Sequence, residues 1–379
     1  MIFTCDKQQL QDALALVVRV VSTRTTLSIL ECVLLYAKEN EGLTLCASDL
    51  EVSIETKAIP AEVEVGGSIA LDAKLFTDII RKLSGDFVTI ETDDNFTALC
   101  KSGRSRLKIA GQPPDEFPVI EMDKINEGGA INAHYTLKTT TLKDMIRQTI
   151  FSVSPDQSKL VLTGELLEIK ENALRMVAVD MFRISYRAET LDTKNSAESR
   201  AVVPGKAMNE LSRILPVNNE DEEVNFFFTP KWAVFEASSF VMVSRLLEGE
   251  FVRYDQIFNE DFTTSVVVNR VQLLSAFERA ILVAVDNRMP PTQLDIHDDD
   301  LLITAHNERG QVNDGIPCET DGKDLSIHFN PRYFIEALRA IEDERVVLKF
   351  NTQLSPCTIR GADLAVDCKY LIVPLRPPQ

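Results

Sequence analysis

A basic residue, an acid four positions later and a second base three beyond recur three times along the chain: Lys74, Asp78 and Arg81; Lys206, Glu210 and Arg213; Arg332, Glu336 and Arg339. On an α-helix these offsets share one face. Such a face can pair its own charges for a few tenths of a kcal/mol, or it can offer cations to the phosphates of a polyanion. The other reactive side chains do not assemble into a catalytic pattern. There is no GxxxxGKS/T phosphate loop, no GxSxG elbow and no HExxH helix. His134, His297, His306 and His328 are dispersed, and "HDDDL" at 297–301 reads as a solvated turn. Asp49 and Asp180 occupy matching hairpin positions, where aspartate ordinarily stabilises the turn through its own backbone hydrogen bonds. The reading is a protein without catalysis, metal or cofactor.

The three charged triplets sit in phrases of one design, a short amphipathic helix, a polar turn and a strand: "AKLFTDIIRKLSGDFVTIETD" from 73, "GKAMNELSRILPVNNEDEEVNFFFT" from 205 and "PRYFIEALRAIEDERVVLKFN" from 331. About sixty to seventy residues before each helix lies a second recurring phrase: "FTCDKQQLQDALALVV", "YTLKTTTLKDMIRQTI" and "VVVNRVQLLSAFERAI". Within these, Leu10, Leu142 and Leu273 correspond, as do Leu14, Ile146 and Phe277, then Val18, Ile150 and Ile281, predicting one apolar helix face at i, i+4 and i+8. Asp6 and Asn269 are the expected N-caps. The copies are offset by 132 and 131 residues, and Phe76, Met208 and Phe334 of the other helix by 132 and 126. Two phrases keeping nearly one period indicate three homologous domains, 1–127, 128–260 and 261–379. The junctions fall in the polar stretches 123–134 and 258–265. Alternating stretches such as "LTLCASDLEVSIET", "LRMVAVDMFRISYRAET" and "LLITAHNERGQVND" predict hairpins. Each domain then has two helices and about eight strands, an α+β class. The half-domains resemble one another, so six similar units should pack by repeated rotation, open or closed.

Charge is partitioned against this frame. The chain carries −18, yet the six helix windows together carry +6, leaving −24 for strands and loops. A surface lined by those helices would be positive within an acidic body. No run of about 18 apolar residues is present, so no membrane span is expected. The beginning, "MIFTCDKQQLQDAL", has neither a basic leader nor an apolar segment, from which a cytoplasmic protein is expected. The seven scattered cysteines form no CxxC pair, consistent with reduced core residues.

The opening "MIF", the hairpin "ASDLE", "SRLLEGEFVRY" before the third domain and the ending "YLIVPLRP", set in three tandem domains, resemble the bacterial sliding clamp family, the beta subunit of DNA polymerase III. The resemblance covers the whole chain. It implies two chains closing head to tail into a ring, with helices lining a hole that admits duplex DNA. It further implies no catalysis of its own, tethering of DNA polymerase and repair proteins, and opening by a clamp loader ATPase. By helix position the implied DNA-facing residues are Lys74, Arg81, Lys138, Lys143, Arg147, Lys206, Arg213, Arg270, Arg279, Arg332 and Arg339, with Arg24 in the loop "TRTTLSIL". Few and mild phosphate contacts suit sliding, because tight neutralisation would slow it.

The family's hydrophobic pocket for short peptides maps onto Leu162, Val179, Met181, Phe182, Arg183, Ile184, Val252, Gln256 and Ile257, and onto Asn330, Tyr333, Leu354, Pro356, Ile372, Val373, Pro374, Leu375 and Arg376. Where the family commonly has Thr-Asp-Gly-His-Arg this chain has "VDMFR". Met181 and Phe182 therefore make a bulkier, more apolar floor. The implied homodimer seam pairs Leu107 and Ile109 with Leu282 and Val283 of a second chain, with Arg104 and Arg106 alongside. Only Glu308 and Asp314 stand ready to oppose them, so apolar packing should dominate the seam. Two rival classes remain at this point. One is a repeat scaffold that never meets DNA, the other an enzyme whose site has no recognised motif.

Overall fold

The computed structural model describes residues 1–379 except 23–24, 119, 121–124, 126–132, 192–197, 218, 220, 259–260, 284–290, 309, 365 and 377–379. Arg24 and both expected domain junctions, at 127/128 and 260/261, fall outside or against the edge of the described residues. Six α-helices of ten or eleven residues occur among the described residues: α1 (Lys7–Val17), α2 (Ala73–Lys82), α3 (Thr139–Thr149), α4 (Gly205–Ile214), α5 (Arg270–Ala280) and α6 (Pro331–Ala340). α1, α3 and α5 are the expected recurring set. Leu10, Leu142, Leu273, Leu14, Ile146 and Phe277 are all fully buried, as are Phe76, Met208 and Phe334 in the other set. Asp6 accepts from the Gln9 amide at 2.9 Å and Asn269 from the Gln272 amide at 3.0 Å, so both expected caps close the first turn.

The third position of each apolar stripe departs from the sequence expectation. Val18, Ile150 and Ile281 begin 3-10 turns directly after the helices and are only half-buried. All three helices tighten at the same repeat position, where a 3-10 turn can satisfy terminal carbonyls that lack an i+4 partner.

The strands number nine, eight and eight in the three repeats among the described residues. The first repeat has one more because it uses two strands, Val52–Thr56 and Ala61–Val65, where the third uses a single thirteen-residue strand, Gly310–Gly322. Pro60, which has no amide to donate, interrupts the first.

The chain divides into two compact units, 1–141 with 210–246 and 142–209 with 247–379. The middle repeat is thus shared between them. In the first unit a 13-stranded sheet passes from the first repeat into the middle one, where Val52–Thr56 pairs antiparallel with Phe240–Arg245, Phe240 opposite Thr56. In the second unit a 12-stranded sheet does the same, with Arg183–Thr190 beside Asp367–Ile372 and Arg183 opposite Ile372. Edges that would otherwise present unpaired backbone groups are consumed at the repeat junctions. In the third repeat the core is organised by Phe277 of α5 stacked on Phe334 of α6, centroids 4.5 Å apart, with Phe329 edge-on to Phe334.

Candidate peptide pocket and cation-bearing helices

The hairpin of Ala173–Val179 and Arg183–Thr190 carries the centre of the expected pocket. Asp180 Oδ1 accepts from the amides of Phe182 at 2.7 Å and Arg183 at 3.0 Å. Asp49 makes the same two bonds in the first repeat, to Glu51 and Val52. The tight turn pushes Met181 and Phe182 outward, and they remain 59% and 47% exposed. Asp180 makes a further contact. Its Oδ2 accepts from Arg183 Nε at 2.9 Å, while the other guanidinium nitrogens reach the Glu336 carboxylate and the Phe151 carbonyl. The Arg183 guanidinium also lies over the Tyr333 ring, 4.7 Å from its centroid. A nearly buried guanidinium with this many partners is fixed in position.

Phe182 stacks on Tyr333, and Tyr333 sits in the first turn of α6 behind the Asn330 cap, whose side chain accepts from the Arg332 amide. The end of the chain is pinned between these pieces. Ile372 ends the strand beside Arg183, the Val373 amide donates to the Phe182 carbonyl at 2.8 Å, and the Leu375 amide donates to the His328 carbonyl at 2.7 Å. Pro374 is half-buried between those two bonds, and Arg376 is exposed. Behind the hairpin, Leu162, Val179 and Ile184 form an apolar cluster with Phe251, Tyr254 and Leu371, and Val252 and Val373 pack against it. Gln256 and Ile257 follow on an exposed turn, and Leu354 and Pro356 on an exposed loop, with Leu354 70% exposed. A cleft of about 160 Å³ is lined by Ile257, Phe262, Pro356 and Leu371, among others. All eighteen expected pocket residues therefore lie in the second compact unit.

Asp180, Phe151 and Glu336 hold Arg183 and were not anticipated as pocket residues. Asp180 stands three residues before Arg183, a spacing that could have signalled the pair. Glu336 belongs to one of the helix-face triplets and does approach Arg332 at 3.8 Å, but its closer partner is Arg183.

The helix cations are mostly engaged within the chain. Arg81 pairs with Asp78 at 2.5 Å and Arg213 with Glu210 at 2.7 Å, in both cases through the i, i+3 partner. Arg147 meets Asp144 and Glu342, Arg339 meets Glu278, Arg279 meets Asp314, and Lys138, at the end of a strand, meets Asp221. Lys74 and Lys206 are exposed and Lys143 is half-buried. Such surface pairs contribute about 0–1 kcal/mol, so a phosphate can replace the carboxylate at small cost. Arg270 differs. Its guanidinium donates to the carbonyls of Asp343 at 2.8 Å and Leu338 at 3.2 Å, tying α5 to the end of α6. Of the seam residues, Leu107 and Leu282 are exposed, at 37% and 77%, whereas Ile109 is buried in its own repeat and Val283 packs against the third-repeat core.

Burial raises the thiols of Cys5 and Cys46 to about 12 and those of Cys32, Cys100 and Cys368 to about 11, so these cysteines are unreactive core groups. No cluster of His, Cys, Asp or Glu able to hold a metal occurs among the described residues, and no described helix is long and apolar enough to cross a membrane.

Three repeats of helix and strand, joined by continuous sheets, define a tandem-domain clamp fold. Models of the DNA polymerase III beta subunit match its N-terminal, central and C-terminal domains at residues 1–121, 136–252 and 255–376, and the chain belongs to that family, the DNA sliding clamps that act as processivity factors. It is similar to the beta sliding clamps of Bacillus subtilis, 31% identical over 94% of this chain and 95% of that one, and of Halalkalibacterium halodurans, 33% identical over 91% and 92%. The crystal structure of the Bacillus subtilis sliding clamp is 30% identical and covers all of both chains, with a TM-score of 0.94.

Proposed function

We propose that two copies of this chain close head to tail into a ring around duplex DNA and tether replicative polymerase and repair proteins through the pocket around Phe182, Arg183 and Tyr333. The ring performs no chemistry. It acts by topology, is opened by a clamp loader ATPase, and works in the bacterial cytoplasm. The three domains span 1–127, 128–260 and 261–379; the gap between the family matches 1–121 and 136–252 supports the first junction, whereas the second lies inside the match that begins at 255. The observation that carries the reading is the recurrence of six short helices, five of them bearing exposed, weakly paired cations, in a chain of net charge −18. Weak pairs give affinity that is low and steeply salt-dependent, so retention must come from closure.

The test uses nicked circular DNA, the purified protein and a bacterial clamp loader with ATP. Retention through a high-salt wash, followed by release when the circle is cut, is the expected result. Loss from the intact circle, together with a solution mass of monomer only, would refute the ring.

A further inference from the structure

The 160 Å³ cleft beside the pocket does not end at Pro356. Lys349 and Thr358 line it and also line a second cleft of about 320 Å³, formed with Phe258, Arg360, Asp367 and Lys369. We infer that the peptide groove continues across Thr358 onto a cationic shelf made by Arg360 and Lys369, and that this shelf takes the acidic flank of the peptide whose apolar anchor fills the pocket. The inference rests on the peptide-pocket reading and adds the partner's charge to it.

Three cations and one acid line the shelf, in a chain where acids exceed bases by eighteen. Lys369 Nζ lies over the rings of Tyr186 and Phe258, 4.6 and 4.8 Å from their centroids. Those contacts hold the ammonium in place without neutralising it. Arg360 Nε is buried without a hydrogen-bond partner, so that nitrogen is not committed to an acceptor of its own fold. Neither Arg360 nor Lys369 is in an ion pair among the described residues. Asp367, the single acid, is within 3.5 Å of the Tyr186 hydroxyl, which can donate to it. Exposed Leu364 and Val366 rim the shelf. A cleft of this size accepts one or two side chains and is continuous with an apolar groove, which fits a mixed apolar and acidic peptide better than a nucleic acid backbone.

The test uses fluorescence anisotropy with the full chain and labelled peptides sharing a Leu-Ser-Leu-Phe core, flanked on either side by three Glu or three Gln. One Glu-flanked peptide should bind about fivefold tighter than its Gln counterpart at low salt, as expected for two exposed ion pairs. The advantage should fade by about 0.5 M salt. Arg360→Gln should abolish the preference and Lys369→Glu reverse it toward a Lys-flanked peptide, with circular dichroism reporting the fold of each variant. Equal binding of Glu- and Gln-flanked peptides, or a preference unchanged in Lys369→Glu, would overturn the shelf while leaving the pocket standing. Failure of every peptide to bind the unaltered chain would overturn the pocket and the shelf together. Displacement of the Glu-flanked peptide by oligothymidylate, with the apolar core still bound, would reassign the shelf to nucleic acid.

Discussion

Phe182 and Tyr333 stack with ring centroids 6.1 Å apart and planes 19° from parallel, joining the hairpin turn of the middle repeat to the first turn of α6. The Arg183 guanidinium also lies over Tyr333. An aromatic that is half-exposed in the free protein and backed by fixed neighbours is a strong anchor for an apolar ligand. Phe182→Ala should therefore weaken binding of an apolar clamp-binding peptide about tenfold, measured by anisotropy. Melting temperature should change little, since Phe182 is 47% exposed.

Glu165 is fully buried on the strand Gly164–Lys170, with one carboxyl oxygen bonded to the Thr149 hydroxyl and the other without a partner. The Thr149 hydroxyl that donates to this carboxyl also lies 2.6 Å from the Met145 carbonyl. Burial raises the Glu165 pKa from 4.5 to about 8. The folded state then binds more protons than the unfolded state between those two values. Stability is fully present below about pH 4.5 and falls as pH rises through about 8. Denaturant unfolding should show a loss on the order of a few kcal/mol between pH 6 and 9, and Glu165→Gln should flatten the profile. A stability that rises over that range would contradict this assignment.

The repeats, the six helices and the hairpins were legible in the sequence because each depends on local periodicity. Leu10, Leu142 and Leu273 repeat an apolar position, and Asp49 and Asp180 repeat a turn. Two features were not legible. The partner of Arg183 is Glu336, 153 positions away, and the pairing of Val52–Thr56 with Phe240–Arg245 crosses two repeats. Sequence spacing carries no information about such contacts. Likewise a helix-face pattern cannot distinguish Lys74, which is exposed, from Arg270, whose charge is spent on backbone carbonyls of its own fold.

That last distinction separates two outcomes. Arg270→Ala removes bonds that tie α5 to the end of α6 and should cost about 1–3 kcal/mol of stability, read by denaturant unfolding. Lys74→Ala combined with Arg81→Ala removes only an exposed cation and a surface pair. Stability should stay within about 0.5 kcal/mol, while the rate of loss from linear DNA at low salt should rise. If Arg270→Ala proved as stable as the unaltered chain, its carbonyl bonds would not be structural and its role on DNA would return to the fore.

The proposed seam depends on the same separation of exposed from committed groups. Leu282 is 77% exposed, and Leu107, on the strand Ser105–Gln112, is also exposed. Asp314, one of two acids expected to meet Arg104 and Arg106 across the seam, is already 2.8 Å from Arg279 of its own chain. An ion pair across the seam would have to break that contact, so apolar burial is the stronger contribution. Leu282→Asp should yield monomers by analytical ultracentrifugation at micromolar concentration with an unchanged circular dichroism spectrum, because the residue is 77% exposed in its own repeat. Raising salt tenfold should shift the dimer constant of the unaltered chain by less than about threefold, since apolar contacts are not screened. A steep rise in dissociation with salt would instead place the seam's strength in charge pairs, with Arg104 and Arg106 the first residues to substitute.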